Sequence, residues 1–131
     1  MREIKFRCWE KDEEAVGGGT MWPVRQIDFD VRDAYLGLHS ASFDDLVFMQ
    51  FTGLHDKNGK DVFEGDIVRC GEYEGDHDTK NYEIVYNEDG TYPAFDLKGW
   101  RNETNGISFF LNDGYIEIIG NIYENPDLLK Q

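Results

Sequence analysis

Basic residues are scarce in this sequence. Its 131 residues include 13 lysines and arginines against 27 aspartates and glutamates, which gives a formal net charge of −14. Proteins bind duplex DNA largely through lysine and arginine side chains that displace counterions from the phosphates. The composition therefore predicts that this protein does not bind duplex DNA.

Long apolar runs are also missing. No stretch approaches the roughly 18 apolar residues that a membrane-spanning helix requires. Residues 1–9 alternate charged and apolar side chains, so they lack the continuous apolar core of a secretory signal peptide. We therefore expect a cytoplasmic protein that is neither secreted nor bound to a membrane.

Cysteine and histidine are few and scattered. Cys8 and Cys70 each lie in an alternating apolar run, where a small thiol can be buried without further chemistry. His39, His55 and His77 have no second histidine or cysteine at zinc-ligand spacing. Because no sequence context typical of a catalytic nucleophile occurs either, we predict no catalytic, cofactor-binding or metal-binding residue, and no cofactor.

Aromatic residues are plentiful, at 15% of the chain, and they supply ample material for a core. A chain of this length has the usual size of one domain. We therefore predict a single domain over residues 1–131. Two segments without apolar period interrupt it, a flexible loop near residues 10–20 with three successive glycines and an acidic loop near residues 71–81.

Period-two alternation and β-branched residues predict strands through most of the chain. The predicted strands are residues 4–9, 25–32, 47–52, 67–70, 82–86, 92–97, 107–111 and 115–119. The pairs Asn58-Gly59, Asp89-Gly90 and Asp113-Gly114 are typical of tight hairpin turns. Residues 33–45 carry no clear pattern and receive no assignment.

Helical periodicity is weak everywhere. One short helical turn is predicted near the end of the chain, with Asn125 as its N-cap and Pro126 in its first position. Strand and turn signals recur at intervals typical of sandwiches and barrels. The predicted fold is mainly β: a small antiparallel barrel-like or sandwich fold of hairpins with little helix, in which the strand 115–119 is central.

Two acidic segments are candidate cation sites. The segment Asp56–Glu64 resembles a calcium loop, but Asp61 stands where such a loop needs glycine, and Ile67 where it needs a bidentate acid, so a hairpin turn is the better interpretation. The loop Glu72–Asp78 could gather a hard cation through its carboxylates. Runs of charge are more often solvated surface, and we interpret this loop so.

Three segments resemble the YopX family of bacteriophage and prophage proteins. They are Met1–Trp9, Met49–Lys60 together with Val62–Val68, and Ile118–Pro126. The resemblance implies a small β-rich protein of phage origin in a bacterial host cell, and it brings no known activity, cofactor or catalytic residue. Turn chemistry accounts for most of the shared residues, such as Gly53, Gly59 and Gly65, which predicts an architectural role for them.

The leading hypothesis is a non-enzymatic accessory protein that binds a phage or host protein, or forms a homo-oligomer, through strand edges and aromatic side chains. Trp9, Trp22, Trp100 and the tyrosines exceed what a small core easily encloses, so some are expected at the surface. One alternative is an acidic nucleic-acid mimic that inhibits a host DNA-binding protein. Another is a small barrel that binds single-stranded nucleic acid, although such grooves also use cations.

Overall fold

The computed structural model describes residues 3–87, 94–100 and 104–130. It divides into two compact units, Met1–Phe51 and Thr52–Gln131, called unit 1 and unit 2 below. Most of the described secondary structure is β-strand, which confirms the predicted mainly-β class.

Strands dominate both units. In chain order they are β1 (Phe6–Lys11), β2 (Gly19–Pro23), β3 (Gln26–Asp28), β4 (Asp33–Tyr35), β5 (Ser40–Ser42), β6 (Leu46–His55), β7 (Asp61–Phe63), β8 (Asp66–Gly71), β9 (Lys80–Asn87), β10 (Ala94–Leu97) and β11 (Tyr115–Asn121). The helical elements among the described residues are α1 (Gly106–Asp113) and the 3-10 turns Val16–Gly18, Phe43–Asp45 and Pro126–Leu129. None of these helices is long and apolar enough to cross a membrane.

In unit 1, β1 pairs antiparallel with β2 on one side and with β6 on the other. The first strand was predicted, but it continues to Lys11, and β2 begins at Gly19, so the intervening loop is shorter than expected. Gly19 packs tightly here, because a Cβ atom would lie 2.3 Å from the carbonyl oxygen of Glu10.

The second half of unit 1 is a small sheet of order β3-β4-β5. The predicted strand over 25–32 is present only at Gln26–Asp28, because the chain turns after Asp28. The Asp28 carboxylate accepts hydrogen bonds from the backbone N–H groups of Asp30 and Val31, and this side-chain bonding competes with strand pairing.

Unit 2 is built on a sheet of order β10-β9-β8-β11, in which all neighbours are antiparallel. The predicted strands 67–70 and 82–86 are confirmed, as is the turn before β8, where Gly65 has a φ of 83°. β9 and β10 pair as the predicted hairpin, whereas its Asp89-Gly90 turn lies outside the described residues.

The predicted strand over 107–111 was wrong, because these residues form α1. The Asn105 side chain accepts a hydrogen bond from the backbone N–H of Ser108 at 3.0 Å, as an N-cap does. Ile107 and Phe110, three positions apart, are buried on the same helical face. Consequently Asp113-Gly114 ends a helix and is not a hairpin turn.

β11 also differs from its prediction, since it lies at the end of its sheet and not at the centre. Its pairing with β8 shifts register between Ile118 and Gly120, which marks a β-bulge. The far edge of β11 is partly bonded by the 56–60 turn: Lys57 N–H donates to the carbonyl of Ile116, and Ile118 N–H donates to the Asp56 carboxylate at 3.0 Å.

Asp56 therefore joins two of the segments that carry the family resemblance. Its carboxylate also accepts hydrogen bonds from the N–H groups of Asn58 and Lys60 at 2.9 Å each. Burial raises the pKa of Asp56, but the hydrogen bonds from Ile118, Lys60 and Asn58 outweigh it, so the pKa lies below its ordinary value. These contacts support an architectural role for the segment.

The predicted helical turn near the end of the chain is present at Pro126–Leu129. Asn125 does not cap it through its side chain. The Asn125 side-chain oxygen instead accepts a hydrogen bond from the N–H of Asn121 at 3.2 Å, which folds the chain back onto the end of β11.

Candidate functional site

A cavity of about 450 Å³ opens on unit 2. It lies where β8 ends, β9 begins and α1 packs across the sheet, and residues 72–78 pass beside it. This volume falls in the range of ligand-binding pockets. We refer to it as the unit 2 cleft.

One wall of the cleft is aromatic and centres on Trp100. The ring centroid of Trp100 lies 6.1 Å from that of Tyr82, 5.6 Å from that of Phe109 and 5.4 Å from that of Phe110. Phe109 and Phe110 themselves meet edge to face at 5.0 Å. Trp100 and Tyr82 are half-buried, so parts of both rings face the opening.

Local hydrogen bonds hold this wall in place. The indole N–H of Trp100 donates to the carbonyl of Thr104 at 3.0 Å. The buried Asp96 carboxylate accepts from the N–H of Gly106 at 2.8 Å, and this bond fixes the first turn of α1. Gly106 lets the helix approach, because a Cβ atom there would lie 2.9 Å from Trp100 Cγ.

Cys70 and Gly71, at the end of β8, form the floor of the cleft. Burial raises the pKa of the Cys70 thiol to about 12, so the thiol is protonated at neutral pH and is a poor nucleophile. Gly71 has no room for a side chain, since a Cβ atom would lie 2.7 Å from the Tyr115 ring. The floor is therefore closely packed and chemically inert.

Charged side chains form the rim. Glu72, Asp76 and Asp78 line the cleft together with Lys80, so carboxylates outnumber ammonium groups three to one. Both oxygens of Asp76 accept backbone hydrogen bonds, one from Glu72 N–H at 3.0 Å and one from Asp78 N–H at 2.9 Å. These two bonds lower the pKa of Asp76 below its ordinary value, so its carboxylate is ionised at neutral pH.

The Asp76 bonds bear on the candidate cation site in this loop. A carboxylate that accepts two backbone hydrogen bonds has fewer lone pairs left for a metal ion. Glu74 is also engaged, because its carboxylate accepts a hydrogen bond from the Lys57 ammonium at 2.7 Å. In the described part of the chain, no three histidine, cysteine or carboxylate side chains are placed to hold a metal. The absence of a metal site stays a prediction.

Cys8 and the three histidines are not among the residues that line the cleft, although His77 lies in the loop beside it, next to Asp76. His39 pairs with Glu10 at 2.9 Å, and His55 pairs with Asp61 at 3.1 Å. Cys8 is a buried free thiol, as predicted, and burial raises its pKa to about 11, with a further contribution from Glu10. None of these groups lines the cleft.

A larger depression of about 670 Å³ lies on the β3-β4-β5 sheet of unit 1. Asp28, Asp30 and Asp33 line it, and the Asp28 carboxylate is committed to the turn described above. Its aromatic side chains, Phe29 and Tyr35, are largely exposed. We regard the unit 2 cleft as the better candidate, because its aromatic wall is both concave and held by neighbouring elements.

Sequence reasoning did not identify the cleft. It treated the tryptophans and tyrosines as a general surplus, and the predicted strand would have placed Phe109 and Phe110 on opposite faces. The signal that could have located the wall is Asn105 as an N-cap, followed by Ile107 and Phe110 at helical spacing. Some of the tyrosines are exposed as expected, most clearly Tyr73 and Tyr86, and their part in a binding or self-association surface stays a prediction.

Comparison with known proteins found a matching family and similar solved structures. The model of the YopX protein family matches residues 5–130. The crystal structure of protein EF1440 from Enterococcus faecalis is similar, with a TM-score of 0.65 and 27% sequence identity over 98% of this chain and 99% of that one. No curated protein matches the chain.

Proposed function

The chain belongs to the YopX family, and we propose that it is a non-enzymatic accessory protein, derived from a phage or prophage, that acts by binding another protein. We place this activity in the cytoplasm of the bacterial host. The observation that supports it is the unit 2 cleft, whose wall offers half-buried aromatic rings to the outside. Aromatic side chains in concave, partly desolvated positions contribute most to the energy of protein interfaces.

The chemistry of the cleft favours binding over catalysis. The Cys70 thiol is protonated at neutral pH. The pKa of Tyr82 is raised, mainly by burial and to a smaller extent by the nearby Cys70, so the Tyr82 hydroxyl is neutral as well. Acid–base catalysis in the cleft would require a group whose pKa lies near neutral pH. Among the described residues that line the cleft, the ionisable groups apart from Cys70 and the tyrosines are three carboxylates and one lysine.

Site-specific crosslinking in host cells tests the proposal. A photoreactive phenylalanine analogue is placed at Tyr73, which is 63% exposed on the rim, and in a separate variant at Tyr86, which is 44% exposed and does not line the cleft. We expect a defined protein adduct from position 73 and none from position 86. No protein adduct at 73, or the same adducts at both positions, would contradict the proposal.

The net charge of −14 supports a second candidate, mimicry of nucleic acid. In that case the carboxylates occupy the DNA site of a host protein. The captured protein should then bind DNA, and added duplex DNA should release it from the chain. A partner whose retention does not depend on DNA excludes the mimic and leaves the cleft as the binding site.

A further inference from the structure

We propose that the unit 2 cleft binds an arginine side chain presented by the partner protein. This inference rests on the proposed function and specifies what the partner inserts. Two properties of the cleft support it: an aromatic wall centred on Trp100 and a rim on which carboxylates outnumber the single ammonium group.

The aromatic wall favours a cation. The faces of tryptophan and tyrosine rings carry negative potential, and a cation within about 6 Å of a ring centroid is attracted to it. Trp100 and Tyr82 both line the cleft, and their ring planes meet at 78° with centroids 6.1 Å apart. An uncharged apolar side chain would pack against the aromatic rings but would form no ion pair with Glu72 or Asp78.

The charged rim also favours a cation as the ligand. Glu72 and Asp78 line the opening beside Asp76, whose carboxylate accepts two backbone hydrogen bonds from within the loop. Because the Asp76 oxygens are occupied by backbone N–H groups, the carboxylates of Glu72 and Asp78 are the ones assigned to the ligand. A cation that enters the cleft therefore meets opposite charge at the rim before it reaches the rings.

The aromatic rings of the wall distinguish arginine from lysine. A guanidinium group is planar, stacks on aromatic faces and donates parallel hydrogen bonds to a carboxylate, whereas an ammonium group is a compact and strongly hydrated point charge. Lys80 already brings one ammonium group to the rim. A second lysine would compete with it for the carboxylates, while a guanidinium also gains the surface of the wall.

Fluorine NMR of the protein labelled with 5-fluorotryptophan provides a local readout. The chain has three tryptophans, so three signals are expected, and Trp100→Phe assigns one of them. The probes are capped Gly-Arg-Gly, Gly-Lys-Gly and Gly-citrulline-Gly peptides, of which citrulline matches arginine in shape without its charge. We expect the arginine peptide to shift the Trp100 signal saturably, the lysine peptide to bind about fivefold more weakly, and the citrulline peptide to have no effect.

Two matched pairs of charge changes separate the cleft from the overall field. Glu72→Gln with Asp78→Asn removes two charges at the rim, and Glu13→Gln with Glu14→Gln removes two in an exposed turn of unit 1. We expect the rim pair to weaken arginine binding at least about tenfold and the control pair to change it less than about twofold. Equal effects of the two pairs, or no shift of the Trp100 signal, would overturn the inference.

The crosslinking experiment separates this inference from the proposed function. If the rim pair leaves the protein adduct at position 73 intact and the arginine peptide does not bind, the chain binds protein by other contacts and the arginine assignment is wrong. If the arginine peptide binds and the rim pair also abolishes the adduct, both proposals are supported. If the protein with the photoreactive analogue at position 73 and an unchanged rim gives no protein adduct, the proposed function is contradicted, whatever the peptides show.

Discussion

The two units differ in how many of their apolar side chains are buried. The core cluster of unit 2 consists of Val62, Val68, Cys70, Ile84, Leu97, Ile107, Phe110 and Ile116. The cluster in unit 1 is smaller, with Cys8, Ala34, Leu36 and Leu46. Large apolar side chains that remain exposed are concentrated in the described part of unit 1, namely Ile4, Val16, Phe29, Val31, Tyr35 and Leu38.

This difference shows that apolar residues with strand patterns are not always buried. The β-branched residues of β8 and β9 include the fully buried Ile67, Val68 and Ile84, because both strands are interior to their sheet and α1 covers part of it. The alternating residues 25–32 are not buried to a comparable extent, since the strand ends at Asp28, and Phe29 and Val31 are exposed in the turn. Strand-like apolar residues thus differ in energetic weight between the two units.

The largest effect is expected from the core of unit 2. Ile84→Ala, at a fully buried position, should lower the free energy of unfolding by about 2–5 kcal/mol, because it removes buried methyl groups and leaves a cavity. Val31→Ala, at a position 67% exposed, should change it by less than about 0.5 kcal/mol. Urea denaturation measures both, and comparable losses would erase the contrast between the units.

Leu36→Ala tests whether the units unfold together. Leu36 is buried in the unit 1 cluster, so its truncation should cost about 2–5 kcal/mol. If residues 1–131 form the single predicted domain, this variant and Ile84→Ala should each shift one common transition. Fluorotryptophan signals from Trp22 in unit 1 and Trp100 in unit 2 that change at different urea concentrations would show two independent domains.

Asp56→Ala comes next in size. The variant removes the acceptor of three backbone N–H groups at a position only 6% exposed, so we expect a loss of about 2–3 kcal/mol. Asp28→Ala is the matched control in unit 1, because that carboxylate accepts two backbone bonds in an exposed turn and should cost about 0.5–1 kcal/mol. Equal losses in thermal or urea unfolding would show that burial of Asp56 adds nothing.

Acid should reduce the contribution of Asp56 to the stability of the folded protein. Because the pKa of Asp56 is lower in the folded protein than the ordinary value of 3.8, its stabilising effect is complete above that value and is lost as the pH falls through the folded pKa. The stability difference between the wild type and Asp56→Asn should therefore shrink between about pH 5 and about pH 2. A constant difference across that range would contradict the assignment.

The smallest effect on stability is expected from Phe29→Ser, because this ring is 76% exposed. Unfolding should change by less than about 0.5 kcal/mol. The same variant tests the predicted homo-oligomer: if Phe29 lies in a contact between copies, light scattering after size exclusion will show a lower mass than for the wild type. A wild-type mass of 15.2 kDa at low and high salt would exclude self-association.

Sequence reasoning succeeded where the local signal and the tertiary environment agree. Gly65 before β8 and the β-branched run in β8 and β9 gave correct strands. It failed at residues 107–111, where the β-propensity of isoleucine and phenylalanine outweighed a genuine helix signal at Asn105. The family resemblance covered both ends of the Asp56 bonds without revealing that these residues meet, since no local pattern encodes a contact 62 positions apart.

The candidate site was harder to predict for a similar reason. Its wall combines Tyr82 on β9, Trp100 after β10 and two residues of α1, and each of these aromatics has an ordinary local context. The acidic rim was visible as a loop, and its charge was correctly placed at the surface. What the sequence could not supply was the juxtaposition of that rim with the aromatic rings.

The strand order of unit 2 has a consequence for synthesis of the chain. β8 is an inner strand, paired on one side with β9 and on the other with β11, which is made much later. At about 5–20 residues per second, the 50 positions between Val68 and its partner Ile118 take the ribosome roughly 2.5 to 10 seconds. Until β11 is made, the edge of β8 that pairs with it has no partner strand, and unpaired strand edges of this kind are prone to aggregation.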